Sequence, residues 1–168
     1  MDYGLTEEQL MIRDLCRQIG EEKIKPLREE YDESGEFPRD MMKVFADADL
    51  PGISLPEEYG GMGGGVMDNV VAVEELSRVC AGIALCLFAT GLGTYPILLF
   101  GSDDQKKKYL PKIASGEFMA AFGLTEANAG SDAGAIQTTA AKDGDSYILN
   151  GTKQWITNGG EADVYTVI

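Results

Sequence analysis

Apolar positions recur at helical spacing along the first part of the chain and fall into short alternating runs afterwards. Leu10, Met11, Leu15, Ile19 and Ile24 follow Thr6 and Gln9, whose spacing is that of a capping box, and predict a first helix that Pro26 kinks or ends. Asp32-Glu-Ser-Gly35 reads as a turn. Phe37-Pro38 opens a second short helix carrying Met41, Met42, Val44 and Phe45. Residues 50–65 hold two prolines and six glycines and predict a loop. A third helix runs from Val66 to about Cys80, with Val70, Val73, Leu76 and Ser77 on one face and Glu74, Glu75 and Arg78 elsewhere. The uncharged run 79–102 supplies a fourth helix and a short fifth, separated at Thr90-Gly-Leu-Gly-Thr-Tyr-Pro96. Ser102 and Gln105 form another capping box. The helix they open places Asp103 and Asp104 in its first turn and lysines later, the order that suits the helix dipole, with Pro111 in its last turns.

From about Gly116 the pattern changes. Asp143-Gly144, Asn150-Gly151 and Asn158-Gly159 are tight-turn dipeptides, and the first two are spaced to join short strands. Tyr147, Leu149, Gln154 and Ile156 fit β segments, with Trp155-Ile-Thr157 on the strand after the Asn150-Gly151 turn. Val164-Tyr-Thr-Val-Ile168 is a further strand. The expected fold class is α+β: an all-α domain of five or six helices over residues 1–117, then the opening of a β-barrel-like domain over 118–168. A strand needs a partner, and the last one meets the end of the chain, so the β domain is expected to be cut short.

Charge and composition narrow the function. The 168 residues carry 14 basic against 28 acidic side chains, a net charge of -14, which repels nucleic acid and anionic membrane. A hydrophobic content of 44% supports a real core. The three cysteines, Cys16, Cys80 and Cys86, lack metal or disulfide spacing and read as buried reduced thiols. No metal site is expected. With no histidine, acid–base work falls to a carboxylate, Tyr, Lys or Cys, or to residues outside this chain. The uncharged run is long enough to span a bilayer, but glycines, threonines and Pro96 interrupt it and no Lys/Arg cluster flanks it, so it reads as a core helix. The opening residues lack an apolar stretch, so no signal peptide and a cytoplasmic location are expected. The glycine cluster at 60–65 misses both phosphate-loop spacings and reads as a flexible connection.

Two segments carry candidate chemistry: Phe122-Gly-Leu-Thr-Glu-Ala-Asn-Ala-Gly-Ser-Asp132 and Gln154-Trp-Ile-Thr-Asn158. The first offers a hydroxyl, a glycine turn, a second hydroxyl and an acid, and such turns can cup an anion or carbonyl. By residue type alone it also reads as an ordinary loop, and Trp155 as core packing. Three further stretches stand in order with them: Leu5-Thr-Glu-Glu-Gln-Leu10, Leu55-Pro-Glu-Glu-Tyr-Gly-Gly61 and the run from Gly101 through Gln105-Lys106 to Tyr109-Leu-Pro111. With Asn150-Gly-Thr-Lys153 before Gln154, the set resembles the acyl-CoA dehydrogenase family over essentially the whole chain.

The resemblance implies a flavoprotein oxidoreductase that binds FAD. Phe122, Leu124 and Thr125 would contact the isoalloxazine, Gly130 and Ser131 would close that loop with Ser131 also touching the acyl-CoA, and Trp155, Ile156 and Thr157 would line the other flavin edge. Ala127 stands where the family often has proline. Glu126 reads as structural and Asp132 as a turn cap. The implied reaction is α,β-dehydrogenation of an acyl-CoA thioester, with electrons passing to electron-transfer flavoprotein. The stretch from Asp132 through Gln137-Thr-Thr139 is most similar to short-chain, butyryl-type members. The resemblance implies a catalytic glutamate in a C-terminal helical domain that would follow residue 168 and is absent here, so no acid here is assigned that role and the chain alone is expected to be inactive. The family also implies a homotetramer. Competing readings are an acyl-CoA oxidase or a reductase on the same scaffold, and a non-catalytic helical interaction module.

Overall fold

A computed structural model describes residues 4–168; residues 1–3, part of the opening segment read as free of a leader, lie outside them. The first capping box forms: Thr6 Oγ1 accepts from the Gln9 N–H at 3.2 Å, and Gln9 Oε1 accepts from the Thr6 N–H at 3.1 Å. It opens α1 (Glu7–Ile19). The chain continues in a π-helical turn (Gly20–Ile24), in which the Lys25 N–H reaches back five residues to the Gly20 carbonyl at 2.9 Å. The turn expected at 32–35 is instead the last turn of α2 (Arg28–Ser34), ended by Gly35 at φ 68°. Helix α3 (Arg39–Ala46) follows Pro38 as expected.

Helix α4 (Val66–Phe100) departs most from the sequence reading. No break occurs at 90–96. The helix runs through Gly91, Gly93 and Pro96, and its one non-helical residue is Cys80 (φ -155°, ψ 107°). Arg28 Nη1 donates to the Val79 carbonyl at this kink, 3.3 Å away. The glycine at 93 serves close approach rather than a turn. A Cβ there would lie 2.6 Å from the Ala121 carbonyl oxygen and 2.8 Å from the Ala121 nitrogen. By length and composition α4 could cross a bilayer. Here it packs against α1, α3, α5 (Asp103–Ala114) and strand β1 (Ala120–Gly123).

Two apolar clusters hold the molecule. One gathers Ile12, Cys16, Phe45, Ile53, Leu76 and Leu87 from α1, α3, α4 and the loop between α3 and α4. The other joins Leu55, Leu110 and Ile113 to Ala120 of β1. Each fully buried large side chain contributes about 1.5–3 kcal/mol. Between α1 and α4, the buried carboxylate of Glu75 takes two bonds from Arg17, at 2.8 and 3.1 Å, and one from Arg78 at 2.6 Å. Burial, with Glu75 nearby, pushes the Cys16 thiol up to about 12. All three cysteines are free, but Cys80 and Cys86 are half-buried rather than buried.

Strands β2 (Thr139–Asp143) and β3 (Ser146–Asn150) form the hairpin expected at Asp143-Gly144, with Gly144 at φ 59°. The Asn150-Gly151 pair makes no second hairpin. Strand β4 (Val164–Val167) pairs in parallel with β1, Val164 opposite Ala120. One edge of β4 is therefore paired within the chain. The glycine-rich loop is not a free span. Met62, Gly63 and Gly64 donate to the carbonyls of Gly52, Leu55 and Ile53 at 2.8–2.9 Å, and at Gly61 a Cβ would collide with the Leu55 carbonyl.

Gly93→Ala provides a test of the close approach. Alanine improves helix propensity by up to about 1 kcal/mol, yet against the β1 backbone it is expected to destabilise by about 1–3 kcal/mol. Denaturant unfolding reads the sign; a stabilised variant would show that α4 does not bear on Ala121.

Candidate functional site

Strand β1 ends at Gly123 and delivers Phe122, Leu124 and Thr125 to one side of α4. The chain returns to this place after β3. The Gln154 N–H donates to the Thr125 carbonyl at 2.8 Å, which lays residues 153–157 alongside 124–125. These residues are not a strand, as expected, but an irregular turn in which Trp155 sits at φ 59°. A left-handed backbone is strained for a large side chain, and such strain concentrates at functional sites. The indole is 87% exposed, so it is not the core residue that a lone strand tryptophan suggests.

Six of the eight sequence-predicted residues meet in one hollow of about 180 Å³: Phe122, Leu124, Thr125, Trp155, Ile156 and Thr157. Ala89 and Leu92 of α4 form its third wall. Sequence reasoning missed both, because the segment around Gly91 and Gly93 was read as a helix break. Gly130 and Ser131 do not line the hollow. They are exposed, beyond a tight turn closed by paired Glu126 and Ala129 backbone bonds of 3.0 and 3.2 Å. At this volume the hollow cannot enclose a cofactor, since enclosing pockets run to about 300–1,000 Å³. It can seat one edge of a flat ring between an apolar floor, an exposed indole and the residues Thr125 and Thr157. That donor set fits a flavin edge. Among the described residues no group of three or more Cys, Asp or Glu could hold a metal ion.

A second hollow, of about 390 Å³, lies between α4 and the 50–54 loop and shares no residue with the first. It is lined mainly by apolar groups such as Val70, Leu87 and Phe88, with a Ser54–Tyr95 hydroxyl contact of 3.0 Å.

Polar side chains brace the first hollow. Glu126 accepts from the Gln137 N–H (2.7 Å), the Thr138 N–H (2.9 Å), the Thr138 hydroxyl (2.5 Å) and Lys153 Nζ (2.7 Å). This matches its reading as a structural acid. Asp132 makes no side-chain cap; its backbone carbonyl accepts from the Ala135 N–H at 3.1 Å. Asn158, at φ 63° and buried, donates from Nδ2 to the Cys86 carbonyl (2.8 Å) and to Thr90 Oγ1 (3.3 Å). It thereby ties the Trp155 turn to α4. Its Oδ1 has no hydrogen-bond partner among the described residues.

The bond from Lys153, then those from Thr138 and Gln137, pull the Glu126 carboxyl down to about 2 from 4.5. A depressed carboxylate contributes stability that is full above the unfolded value and is lost as pH falls through the folded one. Acidifying from 4.5 to about 2 is therefore expected to loosen the 137–138 and 153–157 segments. Amide exchange at Thr138 follows this, and Glu126→Gln should abolish the pH dependence in that window. An unchanged profile in the variant would assign it to other acids.

Comparison with known proteins shows the family. The acyl-CoA dehydrogenase N-terminal domain matches residues 6–117 and the acyl-CoA dehydrogenase middle domain matches 121–168. The short-chain specific acyl-CoA dehydrogenase of Clostridium acetobutylicum is 45% identical over 99% of this chain and 44% of its own length. Among solved structures, butyryl-CoA dehydrogenase from Megasphaera elsdenii superposes with a TM-score of 0.93 at 42% identity, covering 99% of this chain and 45% of that one. A chain from a structure of the electron transferring flavoprotein of Acidaminococcus fermentans gives 0.95 at 49% identity, over 99% and 44% of the two chains. A glutaryl-CoA dehydrogenase from Mycobacterium smegmatis in complex with FADH2 gives 0.90 at 35%, over 97% and 42%. The chain thus spans less than half the length of the relatives it matches. Its helical half, its β segments and its motifs place it in one family of flavoprotein oxidoreductases: the chain belongs to the acyl-CoA dehydrogenases.

Proposed function

We propose that this chain forms the N-terminal helical domain (1–117) and the opening of the middle β domain (118–168) of a FAD-dependent enzyme. The enzyme oxidises a short-chain acyl-CoA thioester across its α,β bond. The observation that supports this best is the convergence of two segments about thirty residues apart on one hollow, beside an exposed, left-handed Trp155. FAD, when bound, supplies the hydride acceptor for the β-carbon. Phe122, Leu124 and Ile156 give the ring edge an apolar seat. Thr125 and Thr157 offer hydroxyls and backbone groups to its polar edge, and Trp155 shields its face from water. Ser131, exposed on the neighbouring loop, is in a position to meet the CoA ester.

Among the described residues no acid lines the hollow. The base that takes the α-proton belongs, in this reading, to the part of the protein that corresponds to the longer relatives' remaining length. The chain by itself is inactive and holds FAD weakly. The complete protein assembles as a homotetramer, works in the cytoplasm with α4 as a core helix, and passes electrons to electron-transfer flavoprotein.

Trp155 is the single tryptophan of these 168 residues, so its emission reports on this hollow once any tryptophan elsewhere in a longer protein is replaced by phenylalanine. In a longer protein that includes this chain, FAD is expected to quench that emission, and anaerobic butyryl-CoA to bleach the oxidised flavin band. Bound flavin without bleaching would reject the short-chain substrate. A folded protein that neither takes up FAD nor loses its emission would reject the flavin reading.

A further inference from the structure

A sheltered polar cluster beside the hollow centres on Lys153. Its Nζ lies 2.7 Å from Glu126 Oε1 and 3.0 Å from the Leu124 carbonyl, and the two ionised side chains are only 11% and 10% exposed. Neither residue lines the hollow. Each is joined by the backbone to a residue that does: Glu126 follows Thr125, and Lys153 lies two before Trp155. The bond to Leu124 fixes one wall, and the adjacent Gln154 N–H fixes Thr125 at 2.8 Å. The same carboxylate holds the loop at Gln137 and Thr138.

We propose that the Lys153–Glu126 pair is a clamp that sets the spacing of the two walls of the flavin hollow, making both of them positioning residues for the cofactor. This rests on the flavin reading of the hollow. The geometry separates the clamp from simple loop bracing. Without Lys153, Glu126 keeps its three donors from Gln137 and Thr138, but the Leu124 wall loses its tie. Without the Thr138 hydroxyl, the loop loses a bond while the Lys153–Leu124 tie stays. A charge-assisted bond at a site this sheltered is strong enough to matter for the fit of a rigid ring.

The test uses the longer FAD-loaded protein and reads FAD dissociation and the shape of the visible flavin band. Thermal unfolding is followed alongside. Lys153→Met is expected to weaken FAD by about tenfold or more and to alter the band. Lys153→Arg should restore both, and Thr138→Val should leave FAD affinity near the wild-type value. If Lys153→Met does not fold, Lys153→Gln, which keeps a donor near Leu124 but loses the charge, carries the same expectation of weakened binding. Wild-type affinity and band shape in the Lys153 variants would overturn the clamp and leave the flavin reading intact. Equal losses in Lys153→Met and Thr138→Val would reduce the pair to loop bracing. A wild-type protein that takes up no FAD would overturn the flavin reading itself, and the clamp with it.

Discussion

The close approach of α4 to β1 is the constraint on which the rest of the structure depends. Gly93 lets helix and strand backbones come together at Ala121, where even a methyl group would clash. The Thr166 hydroxyl of β4 then donates to the Gly93 carbonyl at 2.7 Å, so the second strand is registered on the same point of the helix. Once this contact is made, the end of β1 can only emerge beside Ala89 and Leu92. Asn158 fastens the returning Trp155 turn to Thr90 and Cys86, about one and two turns back along α4 from Gly93. The hollow is a consequence of three segments anchored to one helix.

That arrangement explains a mixture of order and exposure. From residue 79 to its end helix α4 carries no charge, as the core part of a central helix should, yet Leu85, Leu92 and Leu99 are more than half exposed. Trp155 is more exposed still, in a backbone conformation that costs about 1–3 kcal/mol. The carboxylate of Glu126 and the ammonium of Lys153 are meanwhile largely sheltered and fully engaged. Rigid polar bracing around an open, apolar, strained surface is what a preformed cofactor seat requires.

Much of this was legible in the sequence, and the limits have physical causes. The two capping boxes, at Thr6 and Ser102, rest on partners three residues apart and could be read directly. The Asp143-Gly144 hairpin was legible for the same reason. Gly91, Gly93 and Pro96 were not, because a glycine signals a turn or a close approach with equal force and only the distant β1 decides between them. The parallel β1–β4 pairing spans 44 residues, and no local pattern announces it. Trp155 was placed on a strand because the pattern around it alternates; its left-handed backbone depends on ties to Thr125 and α4. The motif residues that contact the hollow could be named, while Lys153 and Asn158, which stand in the same motifs and hold bonds to partners 27 and 68 residues away, could be given no role.

The measurement that bears most directly on the account is a structure of the longer protein with FAD bound. The account places the flavin ring in the hollow, one edge against Phe122, Leu124 and Thr125 and the other against Trp155, Ile156 and Thr157, with the Lys153–Glu126 contact preserved. A ring bound elsewhere, with Trp155 still open to solvent, would contradict it.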